Sequence, residues 1–163
     1  MQTRGVVYVH SCPPAVCPHV EWAISGVLGL RVALDWIAQP ASPGALRAEC
    51  AWSGSPATGG KIAAAMRSWS MVRFEVTEDA SPGCDGERIL HVPGRGAHRS
   101  AVSANGDLVV GEMQLRELHA TSSSVEDFRH KLDTLLGSAW DADLEPYRHA
   151  GDGAPVTWLY QVG

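Results

Sequence analysis

Apolar and polar positions alternate with two periods along the first part of the chain. Gly5-Val-Val-Tyr-Val-His10 is a short β-branched run and predicts a buried strand. Ser11 to Cys17 contains Pro13 and Pro14 and predicts a loop. Residues 18–28 then place Val20, Ala23, Ile24, Val27 and Leu28 on one helical face. Pro18 suits the first turn of that helix and Gly29 its stop. Arg31 to Ile37 predicts a second strand, and Pro40-Ala-Ser-Pro-Gly44 is turn composition. Leu46 to Trp52 alternates and predicts a third strand. Ser53 to Gly60 reads as a loop, and Lys61 to Trp69 as a helix with Ile62, Ala65, Met66 and Trp69 on one face. Met71 to Val76 alternates again as a fourth strand.

The order βαββαβ predicts an α+β protein built on a ferredoxin-like sandwich, a four-stranded antiparallel sheet with two helices on one face. That unit is expected over residues 1–80. The polar segment Glu78 to Gly86 marks its boundary, and residues 81–163 form a C-terminal α+β extension packed on it. In the extension Arg88 to Val92 predicts a strand. Asn105-Gly106 predicts a type I′ hairpin turn between Ala97–Ala104 and Asp107–Val110. Glu112 to His119 suits a short helix. Ser123 and Glu126 have capping-box spacing ahead of a stripe of Val125, Phe128, Leu132, Leu135 and Leu136, which Gly137 ends. Such a stripe is core, or failing that a partner-binding face. Trp140 to His149 is acidic and aromatic, and Pro155 to Val162 predicts a closing strand.

Composition narrows the function classes. The 163 residues carry a net charge of −5 with no block of like charge, which argues against a nucleic-acid partner. Arg occurs 11 times and Lys twice, a bias that a GC-rich genome explains without chemistry. No apolar run reaches the roughly 18 residues that span a membrane, and no signal-peptide pattern precedes the first strand. The expected location is the cytoplasm, where Cys12, Cys17, Cys50 and Cys84 would be thiols or metal ligands rather than disulfides.

The densest group of chemically capable side chains is His10, Cys12, Cys17, His19 and Glu21, spread over a strand end, a loop and a helix start. Zinc takes four such ligands in tetrahedral geometry, but Cys-x4-Cys-x-His has no second Cys or His pair at the usual distance. The bland reading is a Pro-rich loop with a hydrogen-bonded His10. Cys17 at a helix N-cap beside His19 could have a lowered thiol pKa and act as a nucleophile with His10 or His19 as base. No Cys-x-x-Cys pair or orienting third residue supports it.

Arg88, Arg95 and Arg99 flank Gly94 and Gly96, a composition suited to an anion pocket or simply to a solvated loop. Asp141, Asp143 and Glu145 beside Arg148 and His149 lack a calcium-loop pattern and read as a solvated turn with local salt bridges. Several of the six tryptophans are expected in the core, and two or three exposed together would mark an interface or a ligand pocket. No Gly-x-Ser-x-Gly elbow, P-loop or His-Glu-x-x-His helix occurs.

Arg4-Gly-Val-Val-Tyr-Val-His10 leading into Cys17-Pro-His-Val-Glu-Trp-Ala23 is similar to an uncharacterised actinobacterial family known only as a domain of unknown function. Phe74-Glu-Val-Thr-Glu78, Asn105-Gly-Asp107, Leu144-Glu-Pro-Tyr-Arg148 and Gly153-Ala-Pro-Val-Thr-Trp158 resemble its later landmarks. The resemblance implies an intracellular protein and, through the gene neighbourhood of some members, a link to type II fatty-acid synthesis. It carries over no catalytic residues. In that family Cys17-Pro18-His19 fits, whereas the position of Cys12 is often another residue, which weakens a metal site using both thiols.

Together these readings favour a non-catalytic binding, accessory or regulatory module over an enzyme. Its expected partner is a protein, a fatty-acid synthase or acyl-CoA carboxylase component, with no nucleic acid, no membrane and no required cofactor. The alternative is a metal-binding (zinc) or thiol-dependent enzyme centred on His10, Cys17, His19 and Glu21.

Overall fold

The computed structural model describes residues 1–149 and 156–159. In chain order the elements are β1 (Thr3–Cys12), α1 (Cys17–Leu28), β2 (Ile37–Ala38), β3 (Leu46–Gly54), α2 (Thr58–Met66), β4 (Arg73–Glu78), β5 (Gly86–Val92), β6 (Gly96–Val102), β7 (Leu108–Val109), α3 (Glu112–Thr121), α4 (Val125–Leu136), α5 (Ser138–His149) and β8 (Val156–Leu159). The fold is α+β. One open sheet runs β2-β3-β1-β4-β5-β6-β7 with antiparallel neighbours, and β8 adds to β3 in parallel.

The sheet is therefore not the four-stranded one expected, and its strand order as a whole is not a ferredoxin-like one. The reason lies at the Glu78–Gly86 segment. A small Ser81–Cys84 bridge turns the chain straight back, and β5 pairs with the free edge of β4 from Glu78↔Glu87 to Phe74↔His91. Type II chemistry at Pro93-Gly94 then returns the chain as β6: Arg95 N–H donates to Val92 O, and Gly94 has φ 82°.

The two faces of the sheet are covered differently. Val7, Val9, Trp52, Phe74 and Val76 point to one face, where α1 and α2 bury Ile24, Leu28, Ile62 and Met66 against them. On the other face α5 places Leu144 on Leu90 and Val92, with Trp140 beside them. A bulge in β1 between Val9 and Cys12 resets the alternation, so that His10 and Cys12 fall on opposite faces.

Several elements differ from the sequence reading. Of the expected second strand, Arg31–Ile37, only Ile37 pairs with β3, together with Ala38 beyond it. The backbone of 31–36 is instead held by α1: Val32 N–H donates to Ser25 Oγ (3.0 Å) and Leu34 N–H to Glu21 Oε1 (2.9 Å). Helix α2 begins at Thr58 rather than Lys61 because the Glu78 carboxylate accepts from Ala57 N–H (2.7 Å) and Gly59 N–H (2.8 Å), a cap supplied from β4. The β6–β7 hairpin has a three-residue loop. Ser103 N–H donates to Asp107 O, Gly106 takes φ 87°, and Asn105 is not left-handed, so the turn is not type I′. Ser124, not Ser123, caps α4, accepting from Asp127 N–H at 3.0 Å.

The α4 stripe is not core. Val125 is exposed, Phe128, Leu132, Leu135 and Leu136 are only half-buried, and no residue of α4 is fully buried. Helix α3 buries Leu118 alone. Residues 138–149 form α5 rather than a solvated turn. Of the expected closing strand Val156–Leu159 is present, while Pro155 and residues 160–162 lie outside the described residues.

Candidate functional site

The residues grouped by sequence at 10–21 separate in space. His10 faces α5, buried, with its ring stacked on Tyr8. Cys12 and Cys17 lie in the core on the opposite face, both donating to Pro13 O at 3.5 and 3.4 Å. His19 is exposed on α1, edge-on to Trp22 at 5.1 Å and near Trp69. Glu21 accepts from Leu34 N–H and Trp36 Nε1, so its carboxylate fixes the 31–36 segment. His10, Cys17, His19 and Glu21 thus do not converge. Among the described residues no three His, Cys, Asp or Glu side chains are grouped to hold a metal ion.

Cys17 is the first residue of α1, not its cap, which is Val16. Burial pushes its thiol pKa up despite the helix N-terminus, and burial likewise pushes up Cys12 and, to about 12, Cys50. A thiol so raised is a poor nucleophile at neutral pH.

The three arginines do not share a pocket. Arg88 faces α5 and donates to Glu75 and Asp141. Arg99 faces α2, pairs with Glu87 and closes over Gly60, where an added Cβ would meet its Nη2 at 2.5 Å. Arg95, at the β5–β6 turn, donates to Asp143 at 2.6 Å. Gly94 and Gly96 serve the tight turn.

The strongest concentration of charge is one that the sequence reading did not assemble. Glu75 of β4 is buried between the sheet and α5 and accepts four hydrogen bonds. His10 Nε2 gives one at 2.5 Å, Arg148 Nε and Nη2 give a fork at 2.9 and 2.5 Å, and Arg88 Nη2 gives one at 3.0 Å. Asp141 Oδ1 closes the network by accepting from Arg88 and Arg148, each at 2.9 Å. Burial by itself would raise the Glu75 pKa, but the bonds from His10 and Arg148 outweigh it and hold the carboxyl well below the usual range. Arg148 is shifted up, burial opposing and Glu75 and Asp141 prevailing. The ionised Glu75 requires the proton of the shared bond to sit on His10 Nε2. Arg73 extends the group, with its guanidinium 4.6 Å over the Tyr147 ring and a bond to Ser11 Oγ.

A signal for this network was present. The alternation of β4 sends Glu75 to the face opposite Phe74 and Val76, and Asp141, Leu144 and Arg148 recur at helical spacing. Taken together they put a carboxylate, an apolar anchor and a guanidinium on one side of a helix facing a buried glutamate. The side chain of His149 lies outside the described residues.

Several apolar side chains are exposed. Met113 and Val125 are 74% and 67% exposed and Leu115 is 42% exposed, on α3 and α4. A shallow groove along α3 is lined by Val110, Leu115, Arg116 and His119. Trp22 is 68% exposed beside His19, whereas Trp52 is buried and Trp36, Trp69 and Trp140 are half-buried. The Trp158 side chain lies outside the described residues. No helix among the described residues is long and apolar enough to cross a membrane.

No curated protein and no solved structure matches the chain. A family model described as "Protein of unknown function (DUF3145)" matches residues 6–161, nearly the whole sequence that builds this sheet and its helices, and the chain belongs to that family.

Proposed function

We propose that this protein is a non-catalytic binding or accessory module whose partner is a protein component of fatty-acid synthesis, a synthase or acyl-CoA carboxylase subunit. The observation that carries the reading is the contrast between engaged polar groups and unengaged apolar ones. His10, Glu21, Arg88, Arg95 and Arg99 are all spent on internal bonds. Met113, Leu115 and Val125 are exposed apolar side chains on α3 and α4, and Leu115 lines the groove along α3, which suits docking. The fatty-acid link rests on the family resemblance alone. A cytoplasmic location belongs to the same reading.

The order β2-β3-β1-β4, antiparallel throughout and with α1 and α2 in the crossovers, supports a ferredoxin-like unit over residues 1–80. Residues 81–163 then form its extension.

The test is sedimentation velocity of the purified protein with each purified carboxylase and synthase component, beside the carboxylation and elongation rates. The reading expects one stable complex, weakened at least tenfold by Met113→Glu with Leu115→Glu while the variant keeps its Tm. Absence of a complex with every component, with unchanged rates, would sink it.

A further inference from the structure

We infer that Cys12 and Cys17 are a modification site: a peroxide converts them to an intramolecular disulfide across the junction of β1 and α1. The chain brings them together by specific steps. The β1 bulge turns Cys12 to the α1 side of the sheet. The Pro13-Pro14 turn then doubles back, with Val16 N–H donating to Pro13 O at 2.9 Å and Cys17 N–H to Pro14 O at 3.3 Å. Cys17 follows as the first residue of α1. Both sulfurs share the Pro13 carbonyl oxygen, at 3.5 and 3.4 Å. Sulfurs gathered on one carbonyl oxygen must close to roughly 2.05 Å to form a disulfide.

Cys17 is the attacking sulfur. It stands at a helix N-terminus, which favours its thiolate, and it is 4% exposed against 0% for Cys12. Because burial keeps both thiols mostly protonated, the reaction is slow and suits a small oxidant. The Cys17 thiolate attacks one peroxide oxygen, the O–O bond breaks, and hydroxide leaves and takes up a proton as water. Cys12 sulfur then attacks the sulfur of the Cys17 sulfenic acid. The S–S bond forms, the S–O bond breaks, and the hydroxyl leaves as water with the Cys12 proton. Two thiols lose two electrons and two protons, and hydrogen peroxide becomes two waters.

The experiment uses the Cys84→Ser protein, which lacks the exposed thiol that would couple two chains. It is treated with hydrogen peroxide and mapped without reduction. Trypsin releases Gly5–Arg31, which contains Cys12 and Cys17 and no other cysteine. The inference expects this peptide to be lighter by about 2 Da and restored by dithiothreitol, with the oxidised protein's Tm higher by about 4–8 °C. Cys50→Ala should leave the disulfide intact, and Cys12→Ser should stop at a Cys17 sulfenic acid that a dione reagent traps. Recovery of both thiols unmodified, or Cys17 oxidised to sulfinic acid beside a reduced Cys12, overturns it. The mapping of the Cys84→Ser protein decides the matter even if a core variant fails to fold.

Discussion

The sheet has two faces that hold their helices by different physics. Against α1 and α2 it presents Val7, Val9, Trp52, Phe74 and Val76, an apolar surface whose attraction is large and nearly indifferent to orientation. Against α5 it presents His10, Glu75 and Arg88, with Leu90 and Val92 as its buried apolar contacts. There the seating of the helix is fixed by Arg148 and Asp141, whose bonds tolerate little displacement. The difference teaches that burial and specificity are separable. The first face supplies most of the stabilisation, and the second determines where one helix lies at a smaller net gain, because buried ions lose hydration.

The comparison breaks most visibly on the apolar face. Phe74 is fully buried at the centre of that core, its ring stacked on His91 at 4.9 Å. Phe74→Ala should destabilise by about 3–5 kcal/mol, measured by urea unfolding. On the charged face Glu75→Leu should cost about 2–4 kcal/mol, since it removes the buried carboxylate and leaves Arg88 with Asp141 and Arg148 with Asp141 and Glu145. Adding Arg148→Met to Glu75→Leu should recover most of that loss. If the double variant is as unstable as the single one, α5 is not seated by this ion pair.

Acid sharpens the same contrast. The folded-state pKa of Glu75 lies below its ordinary value of 4.5, so its ionised form is the one that stabilises. The contribution is fully present above the unfolded value and is lost as pH falls through the folded one, a window that opens near pH 4.5 and extends downward. The Tm of the wild-type protein should fall more steeply below that pH than the Tm of Glu75→Gln, corresponding to a stability difference of about 1–2 kcal/mol at its largest. Parallel Tm–pH curves would show that the network contributes nothing pH-dependent.

How far each face was legible in the sequence follows from the same physics. The apolar face announces itself locally. The periods of 5–10, 18–28, 46–52 and 71–76 each expose one stripe, and burial of those stripes requires no knowledge of partners. The charged face does not, because a carboxylate at position 75 reads as solvent-facing until Arg148, far along the chain, is placed upon it. Pro146 and the acidic run hid α5 as well: they are turn composition, yet the helix continues through Pro146. The start of α2 was obscured because its cap comes from Glu78 on another strand. The cluster at 10–21 failed for a different reason. One extra residue in β1 sends Cys12 to the face opposite His10, and no period reveals a bulge.

The last comparison sets both faces against the arm that belongs to neither. On α3 only Leu118 is buried, and Leu115 stands 42% exposed beside the shallow groove. A side chain that leaves water so incompletely contributes little to folding, so Leu115→Ser should alter stability by less than about 0.5 kcal/mol in the isolated protein. Urea unfolding with unchanged slope checks this. A loss above about 1.5 kcal/mol would place Leu115 in a packed contact and remove α3 from the candidates for docking. A negligible loss, combined with weakened binding to a carboxylase or synthase subunit, assigns the apolar side chain to association, since folding has no use for it.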